Sequence, residues 1–413
     1  MNVELVTIGT ELLLGFTLDT NGAELAQSLG EIGVRITRRT TVSDDADAIR
    51  EAVVAALGRT GAVITTGGLG PTRDDISKRV VAELFEAPLE FDESVWASLL
   101  ERFARFGRVP APSNRSQAEV PRGALVLPNR WGTAPGLWLE GPPGLAIMLP
   151  GVPGEMRKLL QHEVVPRLAA RVEERVIRSR LVRTSGIPES TLAERLGEIE
   201  HEIAPLTLAY LPGIEGVDLR LTAWDLPADE AEERLRQAAG LLRTRAAGFA
   251  YGEDDRDLAA EVLARARAAG LRVATAESCT GGLVGGRLTE IPGSSDVYVG
   301  GVVCYSNDIK VALLGVPEAT IAEHGAVSEP VACAMALGAL RVLDAELAVA
   351  VTGIAGPSGG TEAKPVGTVW FAVARDGRAI AHRSVFGGDR HEIRARAAQG
   401  ALQLLYRNLA PAD

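Results

Sequence analysis

The sequence predicts an α/β protein built from three domains, and three observations support this prediction. Over residues 1–170, short apolar strands alternate with helical patterns, as in a parallel sheet with crossover helices. Residues 171–250 show the pattern of a small α+β domain with antiparallel strands. Over residues 255–413, apolar strands and glycine-rich loops return as a second α/β domain. Domains of about 100 to 200 residues would divide such a chain into two to four.

The elements of the first domain follow one another at regular spacing. VELVTIG, TNGAELAQSLGEIG, VRITRRTTVS, DDADAIREAVVAALGR and GAVITTGG predict strand, helix, strand, helix and strand. In the second domain, RVIRSRLVRTSG predicts a strand and PESTLAERLGEIEHEIA a helix, LTLAYLPG and VDLRLTAWD predict two more strands, and DEAEERLRQAAGLLRTRAAG predicts a second helix. In the third, LRVATAE, VYVGGVVCYS, ELAVAV, VGTVWFAVA and AIAHRSV predict strands, and a long helix is expected from about Arg390 to Asn408.

Composition narrows the class of protein. With 46% hydrophobic and 23% charged residues, the chain can form globular cores. The formal net charge of -11 would repel a phosphate backbone, which disfavours nonspecific nucleic-acid binding. Glu4 interrupts the first apolar run, and no run approaches the ~18 residues of a membrane helix. We expect a cytoplasmic protein that binds neither nucleic acid nor membranes.

The cysteines and histidines show no metal-binding or disulfide pattern. Cys279, Cys304 and Cys333 lack CxxC spacing, and the five histidines form no HExxH motif. We therefore expect reduced thiols and no structural zinc.

Two loops of the first domain, GTELLLG and GGLGPTRDD, directly follow predicted strands. Parallel sheets bind ligands at the carboxyl ends of their strands. In GGLGPTRDD, glycine amides could approach a phosphate, and Asp74 and Asp75 could hold a divalent metal such as Mg²⁺. A turn with a helix-capping aspartate explains this motif about equally well. The candidate substrate-binding residues of this domain are Glu11, Asn21, Gly67, Gly68, Gly70 and Asn129, with Asn114, Arg115 and residues 150–155 as further loop candidates.

The second domain contains the tetrad GIEG, Gly213 to Gly216. The GXXG loop of a KH module has the same spacing, but that loop joins two helices and binds nucleic acid. Here the tetrad joins two predicted strands and contains Glu215. A tight hairpin turn is the better interpretation.

In the third domain, the strand LRVATAE leads directly into Ser278 and then a helical pattern. A serine at such a junction can act as a nucleophile, and the following amides can face a developing negative charge. Alternatively, Ser278 or Thr280 only caps the helix. A serine nucleophile needs a base, and Tyr305 and Lys310 are the candidates, because a lysine in an apolar environment can lose its proton.

Two further motifs suit phosphate binding. TGIAGPSGG offers the Thr352 hydroxyl and several amides free of side chains. FGGDR places Asp389 as an N-cap and Arg390 in the first turn of the last helix, where a guanidinium could bind phosphate.

Together, AESCTGG, PGSS, GGVVCYSNDIK, LLGV, HGAVSEPVA, TGIAGPSGG and KPVGTVW resemble the C-terminal domain of the CinA family, which includes bacterial nicotinamide-nucleotide amidases. The resemblance implies cofactor-free hydrolysis of nicotinamide mononucleotide to nicotinic acid mononucleotide and ammonia. Ser278 matches the nucleophile, and Tyr305 and Lys310 match the positions that include its base. The candidate substrate-binding residues in these motifs are Thr280, Gly281, Gly282, Thr352, Gly353, Gly356 and Lys364, and Arg390 is the candidate from FGGDR.

The first domain resembles the molybdopterin-binding domain of CinA proteins through GTELLLG, DTN, TTGGLGPTRDD, NRWGTAPG and LPGVPGEM. This resemblance implies a metal-dependent pyrophosphatase that converts ADP-ribose to AMP and ribose 5-phosphate, with Asp74 and Asp75 as metal ligands. Two alternatives remain open, namely a molybdopterin-binding or adenylating enzyme and a competence-linked adaptor that binds proteins. We expect nucleotides as partners and a homodimer, because enzymes of this type often complete their pockets across a two-fold interface.

Overall fold

The computed structural model describes residues 1–172 and 175–409. These residues form two compact units, Met1–Arg178 with Ala223–Glu233 and Ser179–Thr222 with Arg234–Asp413. No helix in the described ranges is both long and apolar enough to cross a bilayer. The three cysteines are free thiols.

The first domain contains a six-stranded sheet in the order β2-β1-β3-β8-β7-β6 and a two-stranded ribbon of β4 and β5. Its elements are β1 (Asn2–Ile8), α1 (Thr10–Leu13), α2 (Thr20–Gly30), β2 (Arg35–Val42), α3 (Ala46–Thr60), β3 (Ala62–Thr66), α4 (Ser77–Leu84), β4 (Leu89–Phe91), α5 (Glu93–Arg105), β5 (Glu119–Pro121), β6 (Leu125–Leu127), β7 (Gly136–Gly141), β8 (Gly144–Leu149), α6 (Pro153–Leu159) and α7 (Val165–Ala169).

The predicted alternation of strands and helices is confirmed in this domain. β1 pairs in parallel with β2 and β3, and β3 pairs in parallel with β8. β7 is antiparallel to β8 because only a short turn joins them, and a parallel pair needs a longer crossover. The neighbouring residues Val63 and Ile64 of β3 belong to different core clusters, so both faces of the sheet are covered.

The second domain forms a four-stranded sheet in the order β10-β11-β9-β12. Its elements are β9 (Arg175–Thr184), α8 (Glu189–Leu196), α9 (Ile199–Glu202), β10 (Thr207–Pro212), β11 (Val217–Pro227), α10 (Ala228–Arg245) and β12 (Ala250–Glu253). β10 pairs antiparallel with β11, and the Gly213 amide donates to the Gly216 carbonyl at 2.8 Å between them. The hairpin interpretation of GIEG is confirmed.

The third domain forms a five-stranded sheet in the order β14-β13-β15-β16-β17. Its elements are α11 (Leu258–Ala268), β13 (Val273–Glu277), α12 (Leu283–Thr289), β14 (Tyr298–Val303), α13 (Asn307–Leu314), α14 (Glu318–His324), α15 (Glu329–Leu343), β15 (Leu347–Gly353), β16 (Thr368–Arg375), β17 (Arg378–Val385) and α16 (Arg390–Asn408).

An interior strand of this sheet, β13, positions the candidate site. β13 pairs in parallel with both β14 and β15, so the carboxyl ends of the three strands share one edge. Ser278 follows β13, Tyr305 follows β14, and Gly353 ends β15. The last helix spans the predicted residues, and Asp389 caps it by accepting from the Glu392 amide at 2.9 Å.

Candidate active site

A cavity of about 190 Å³ opens at the carboxyl ends of β13, β14 and β15. It brings together six residues that the sequence singled out. They are Ser278, Tyr305, Lys310, Thr352, Gly353 and Arg390.

One polar contact in this cavity joins the predicted nucleophile to a lysine. Lys310 Nζ lies 3.1 Å from Ser278 Oγ, and it donates to the carbonyls of Cys304 at 2.8 Å and Tyr305 at 3.3 Å. Lys310 is 1% exposed, since it lies in the first turn of α13 and points into the interior. No ion pair of the described residues links Lys310 to a carboxylate.

This environment suits a neutral amine. Burial lowers the pKa of Lys310, although the nearby Cys304, Cys279 and Tyr305 side chains oppose this when they ionise. A neutral amine has two hydrogens and one lone pair. The two carbonyls can accept the hydrogens, and the Ser278 hydroxyl can donate to the lone pair. The three neighbours therefore match the hydrogen-bonding groups of an uncharged lysine.

Tyr305 occupies a different position. Its side chain is 61% exposed, and its hydroxyl accepts from Arg390 Nη2 at 3.1 Å. Arg390 Nη1 also donates to the Gly356 carbonyl at 2.7 Å. Among the described residues, no hydrogen bond joins the Tyr305 hydroxyl to Ser278. The geometry therefore favours Lys310 as the candidate base, and Tyr305 lies beside Arg390.

The start of α12 departs from what the sequence suggested. The buried Glu277 carboxylate accepts from the amides of Gly282 at 2.9 Å, Val284 at 3.1 Å and Gly285 at 2.8 Å. These amides are therefore occupied and do not face the cavity, contrary to our expectation for the helix N-terminus. Neither serine nor threonine caps this helix, because Gly282 is the N-cap residue with φ 98° and the side chain of Glu277 fills the capping role.

The other predicted substrate-binding residues of this domain hold the loops around the cavity. The Gly281 amide donates to the Ser278 carbonyl at 3.1 Å, and the buried Thr280 hydroxyl has no hydrogen-bond partner among the described residues. Thr352 Oγ1 donates to the Ala326 carbonyl at 2.9 Å. Lys364 Nζ donates to the His324 carbonyl at 2.8 Å. Substrate contact by these residues stays a prediction.

Two residues near Ser278 were not predicted from the sequence. One is Glu277, which the pattern assigns to the end of an apolar strand. The other is Arg394, which contacts the carbonyls of Cys279 and Thr280. A signal for Arg394 existed, because it lies four residues after Arg390 and therefore on the same face of α16.

In the first domain, several predicted residues meet at the carboxyl ends of β1, β3 and β8. Asn21 Nδ2 donates to Thr66 Oγ1 at 3.0 Å and to the Gly151 carbonyl at 2.8 Å. Gly67 and Gly68 have φ values of 107° and 68°, and a Cβ on Gly67 would clash with the Ile8 carbonyl. The chain therefore needs glycine at this turn.

Asp74 and Asp75 lie between this turn and α4, and neither caps the helix. The Asp75 carboxylate accepts from the Thr72 amide at 2.8 Å and from its hydroxyl at 2.5 Å, and lies close to Gly70. Within the ranges that the structure describes, no group of three or more metal-ligating side chains occurs.

Asn129 and Glu11 have local contacts. Asn129 Oδ1 accepts from the amides of Trp131 and Gly132, and its Nδ2 donates to the Glu155 carboxylate at 2.7 Å. Burial raises the pKa of Glu155. Glu11 lies in α1, and its carboxylate lies against Gly9.

Family models match all three parts of the chain. Residues 4–170 match a "Probable molybdopterin binding domain", residues 179–252 a "Damage-inducible protein CinA KH domain", and residues 255–409 a "CinA C-terminal domain". A "CinA-like protein" from Gemmatimonas aurantiaca is 54% identical over 99% of this chain and 97% of the relative. The chain belongs to the CinA family. The predicted family and the molybdopterin-binding-like fold of the first domain are thereby confirmed.

Further relatives of this CinA protein carry names that refer to competence. A "Putative competence-damage inducible protein" from Symbiobacterium thermophilum is 46% identical and covers 99% of both chains. A solved structure, the "competence/damage inducible protein CihA from Agrobacterium tumefaciens", is 49% identical with a TM-score of 0.35, covering 36% of this chain and 91% of that chain.

Proposed function

We propose that the third domain hydrolyses the amide of nicotinamide mononucleotide, with Ser278 as nucleophile and Lys310 as base. The observation that carries the proposal is the 3.1 Å contact between Ser278 Oγ and a buried lysine that has no carboxylate partner among the described residues. A lysine in this environment can accept the serine proton near neutral pH. The membership of the CinA family supports this substrate class.

The reaction follows from this geometry. Lys310 takes the proton of Ser278 Oγ as the oxygen attacks the carboxamide carbon, and a tetrahedral oxyanion forms. The protonated Lys310 then gives its proton to the departing nitrogen, the carbon–nitrogen bond breaks, and ammonia leaves an acyl-enzyme on Ser278. Lys310 next takes a proton from water, whose oxygen attacks the acyl carbon. The proton returns to Ser278 Oγ as nicotinic acid mononucleotide is released.

Arg390 is our candidate for the substrate phosphate. It lies in the first turn of α16, it lines the cavity, and it is exposed. Two of its five N–H groups reach Gly356 and Tyr305, and the others remain free to bind phosphate oxygens. Tyr305 thereby orients the arginine.

The test is to incubate the full chain with nicotinamide mononucleotide in excess EDTA and to measure ammonia and nicotinic acid mononucleotide. We expect activity in EDTA, because the proposed mechanism uses only side chains and no metal. Both products should form in equal amounts, because each hydrolysed amide gives one ammonia and one nicotinic acid mononucleotide. Acid quenching during turnover should trap the acyl group on the peptide that contains Ser278, detectable by mass spectrometry. Absence of both products, with the protein folded, would contradict the proposal.

We propose a second activity, hydrolysis of ADP-ribose to AMP and ribose 5-phosphate, for the first domain. The supporting observation is the pair of positive-φ glycines, Gly67 and Gly68, followed by Asp74 and Asp75. Such a turn can approach a pyrophosphate closely. Two carboxylates with few other ligands fit Mg²⁺, which takes much of its coordination from water and substrate phosphates. When bound, the metal would neutralise phosphate charge, with the Asp74 and Asp75 carboxylates holding it.

A further inference from the structure

Arg394 lies one turn after Arg390 on α16 and contacts the loop that carries the nucleophile. Its Nε donates to the Cys279 carbonyl at 3.0 Å, and its Nη2 donates to the Thr280 carbonyl at 2.8 Å. No ion pair of the described residues involves Arg394. By contrast, Arg287 in the same compact unit pairs with carboxylates. The charge of Arg394 is therefore directed at two backbone carbonyls.

These two contacts fix the directions of two amides. In a trans peptide the carbonyl and the next amide point in opposite directions. Holding the Cys279 carbonyl therefore turns the Thr280 N–H away from Arg394. Holding the Thr280 carbonyl orients the Gly281 N–H, which donates to the Ser278 carbonyl at 3.1 Å. This bond fixes the Ser278 carbonyl and therefore also the Cys279 N–H, which belongs to the same peptide.

The amides of Cys279 and Thr280 directly follow the nucleophile, and Cys279 lines the cavity. Neither amide donates to a carbonyl in the hydrogen bonds of the described residues, and both lie against the Cys279 thiol. The next amides along the chain are taken, that of Gly281 by the Ser278 carbonyl and those of Gly282, Val284 and Gly285 by Glu277. The Cys279 and Thr280 amides are therefore the candidates to bind an oxyanion formed on attack by Ser278.

We propose that Arg394 is a positioning residue that holds the Cys279 and Thr280 amides as the oxyanion hole of Ser278. The proposal rests on the proposed function insofar as Ser278 is the nucleophile. A cation at the carbonyl end of a peptide unit also polarises its N–H, so Arg394 strengthens the donor that it orients. Arg394 contacts no reacting atom and acts through the loop.

The test compares Arg394→Gln and Arg394→Lys with Arg396→Gln, whose arginine lies on the same helix and contacts Gly387 instead of the nucleophile loop. Two rates are measured, namely ammonia release and covalent labelling of Ser278 by an alkyl fluorophosphonate. For Arg394→Gln we expect kcat and the labelling rate to fall about 10²-fold, as when an oxyanion donor is lost. KM should change by less than about threefold, because the interaction forms mainly in the transition state.

In Arg394→Lys, kcat and the labelling rate should fall less than in Arg394→Gln, because the lysine ammonium can still reach one of the two carbonyls. Rates equal to those of Arg396→Gln in folded Arg394 variants would overturn the proposal. If Arg394→Gln does not fold, wild-type rates in Arg394→Lys would overturn it, and a reduced kcat at constant KM would support it. Labelling without ammonia release by the wild-type protein would overturn only the proposed substrate. No labelling of wild-type Ser278 would overturn the oxyanion hole itself.

Discussion

In both α/β domains a glycine-rich loop follows a buried interior strand, but the loops after β3 and β13 use their polar groups differently. After β13, the Glu277 carboxylate is buried against three amides, and Ser278 and Lys310 already lie in contact. After β3, the Asp75 carboxylate accepts from Thr72 within its own turn, and Asp74 is exposed. The first arrangement fits the covalent chemistry that we propose, and the second fits the metal and pyrophosphate that we propose.

Each region also contains a lysine whose pKa is lowered by burial. For Lys78 the pKa falls to about 8, although Glu119 and Asp75 oppose the change, and its Nζ donates to the Ser116 carbonyl at 2.5 Å. For Lys310 one of the neighbours is a hydroxyl, Ser278. A lowered pKa therefore does not by itself make a general base; the lysine also needs a hydroxyl within reach.

The largest expected effect tests the contact after β13. Ser278→Ala and Lys310→Met should each lower ammonia release by up to about 10⁶-fold, because a nucleophile and its base act as a unit. The double variant should be no slower than either single one. Tyr305→Phe, which keeps the ring near Arg390, should retain most of kcat. Near-normal turnover by Ser278→Ala would contradict the nucleophile assignment.

The loop after β3 is tested by Asp74→Ala and Asp75→Asn. Both should abolish AMP formation from ADP-ribose with Mg²⁺ present, since the remaining carboxylate binds the metal poorly. Ammonia release should stay unchanged, because the two sites lie on separate domains, and sites without shared partners behave independently by default. Equal loss of both activities in a folded variant would contradict independent sites. Chromatographic assay of AMP beside the ammonia assay, on one preparation, decides the outcome.

A smaller effect concerns pH. Since the pKa of Lys310 is lowered, kcat/KM for ammonia release should rise tenfold per pH unit on the acidic limb and level off below the ordinary lysine pKa. Tyr305→Phe should keep this limb. If Tyr305 were the base, its removal would abolish the limb, so the two profiles distinguish the candidates.

The same group links pH to stability, with a definite sign. Because the folded pKa of Lys310 lies below its unfolded value, the unfolded chain binds more protons between the two. The free energy of unfolding should therefore rise with pH across this window. Lys310→Met, which cannot be charged, should lack this contribution. Parallel thermal unfolding of both proteins across pH measures the difference, and identical pH dependence would contradict burial of the amine.

The smallest effect concerns the cap of α12. Glu277→Gln should lower the free energy of unfolding by about 1 to 3 kcal/mol, because a carboxamide cannot accept from all three amides with charge assistance. Glu290→Gln, at the exposed end of the same helix, is the control and should change little. Denaturant unfolding measures both variants, and equal stability would show that the cap contributes little.

The sequence could predict much of this arrangement. Apolar strands spaced by helices indicate parallel pairing, and parallel neighbours bring the loops after them to one edge, so a meeting of Ser278 with the region of Tyr305 and Lys310 was foreseeable. The choice between Tyr305 and Lys310 was not, because only four residues separate them and the direction of α13 decides which side chain points inward. Nor was the role of Glu277, since a carboxylate at a strand end has no periodic signal.

The last helix has a consequence for how this protein can be divided into fragments. On α16 the buried Gln399 and Gln403 face the second domain, where they donate to Ser185 Oγ at 3.1 Å and the Gly248 carbonyl at 3.2 Å. When the domains are separated, amide side chains can replace these hydrogen bonds by hydrogen bonds to water at a small cost in free energy. Exposed leucine or valine side chains have no such replacement. Part of the junction is thus already hydrophilic, so separating the third domain there would expose hydratable groups along this part of the helix.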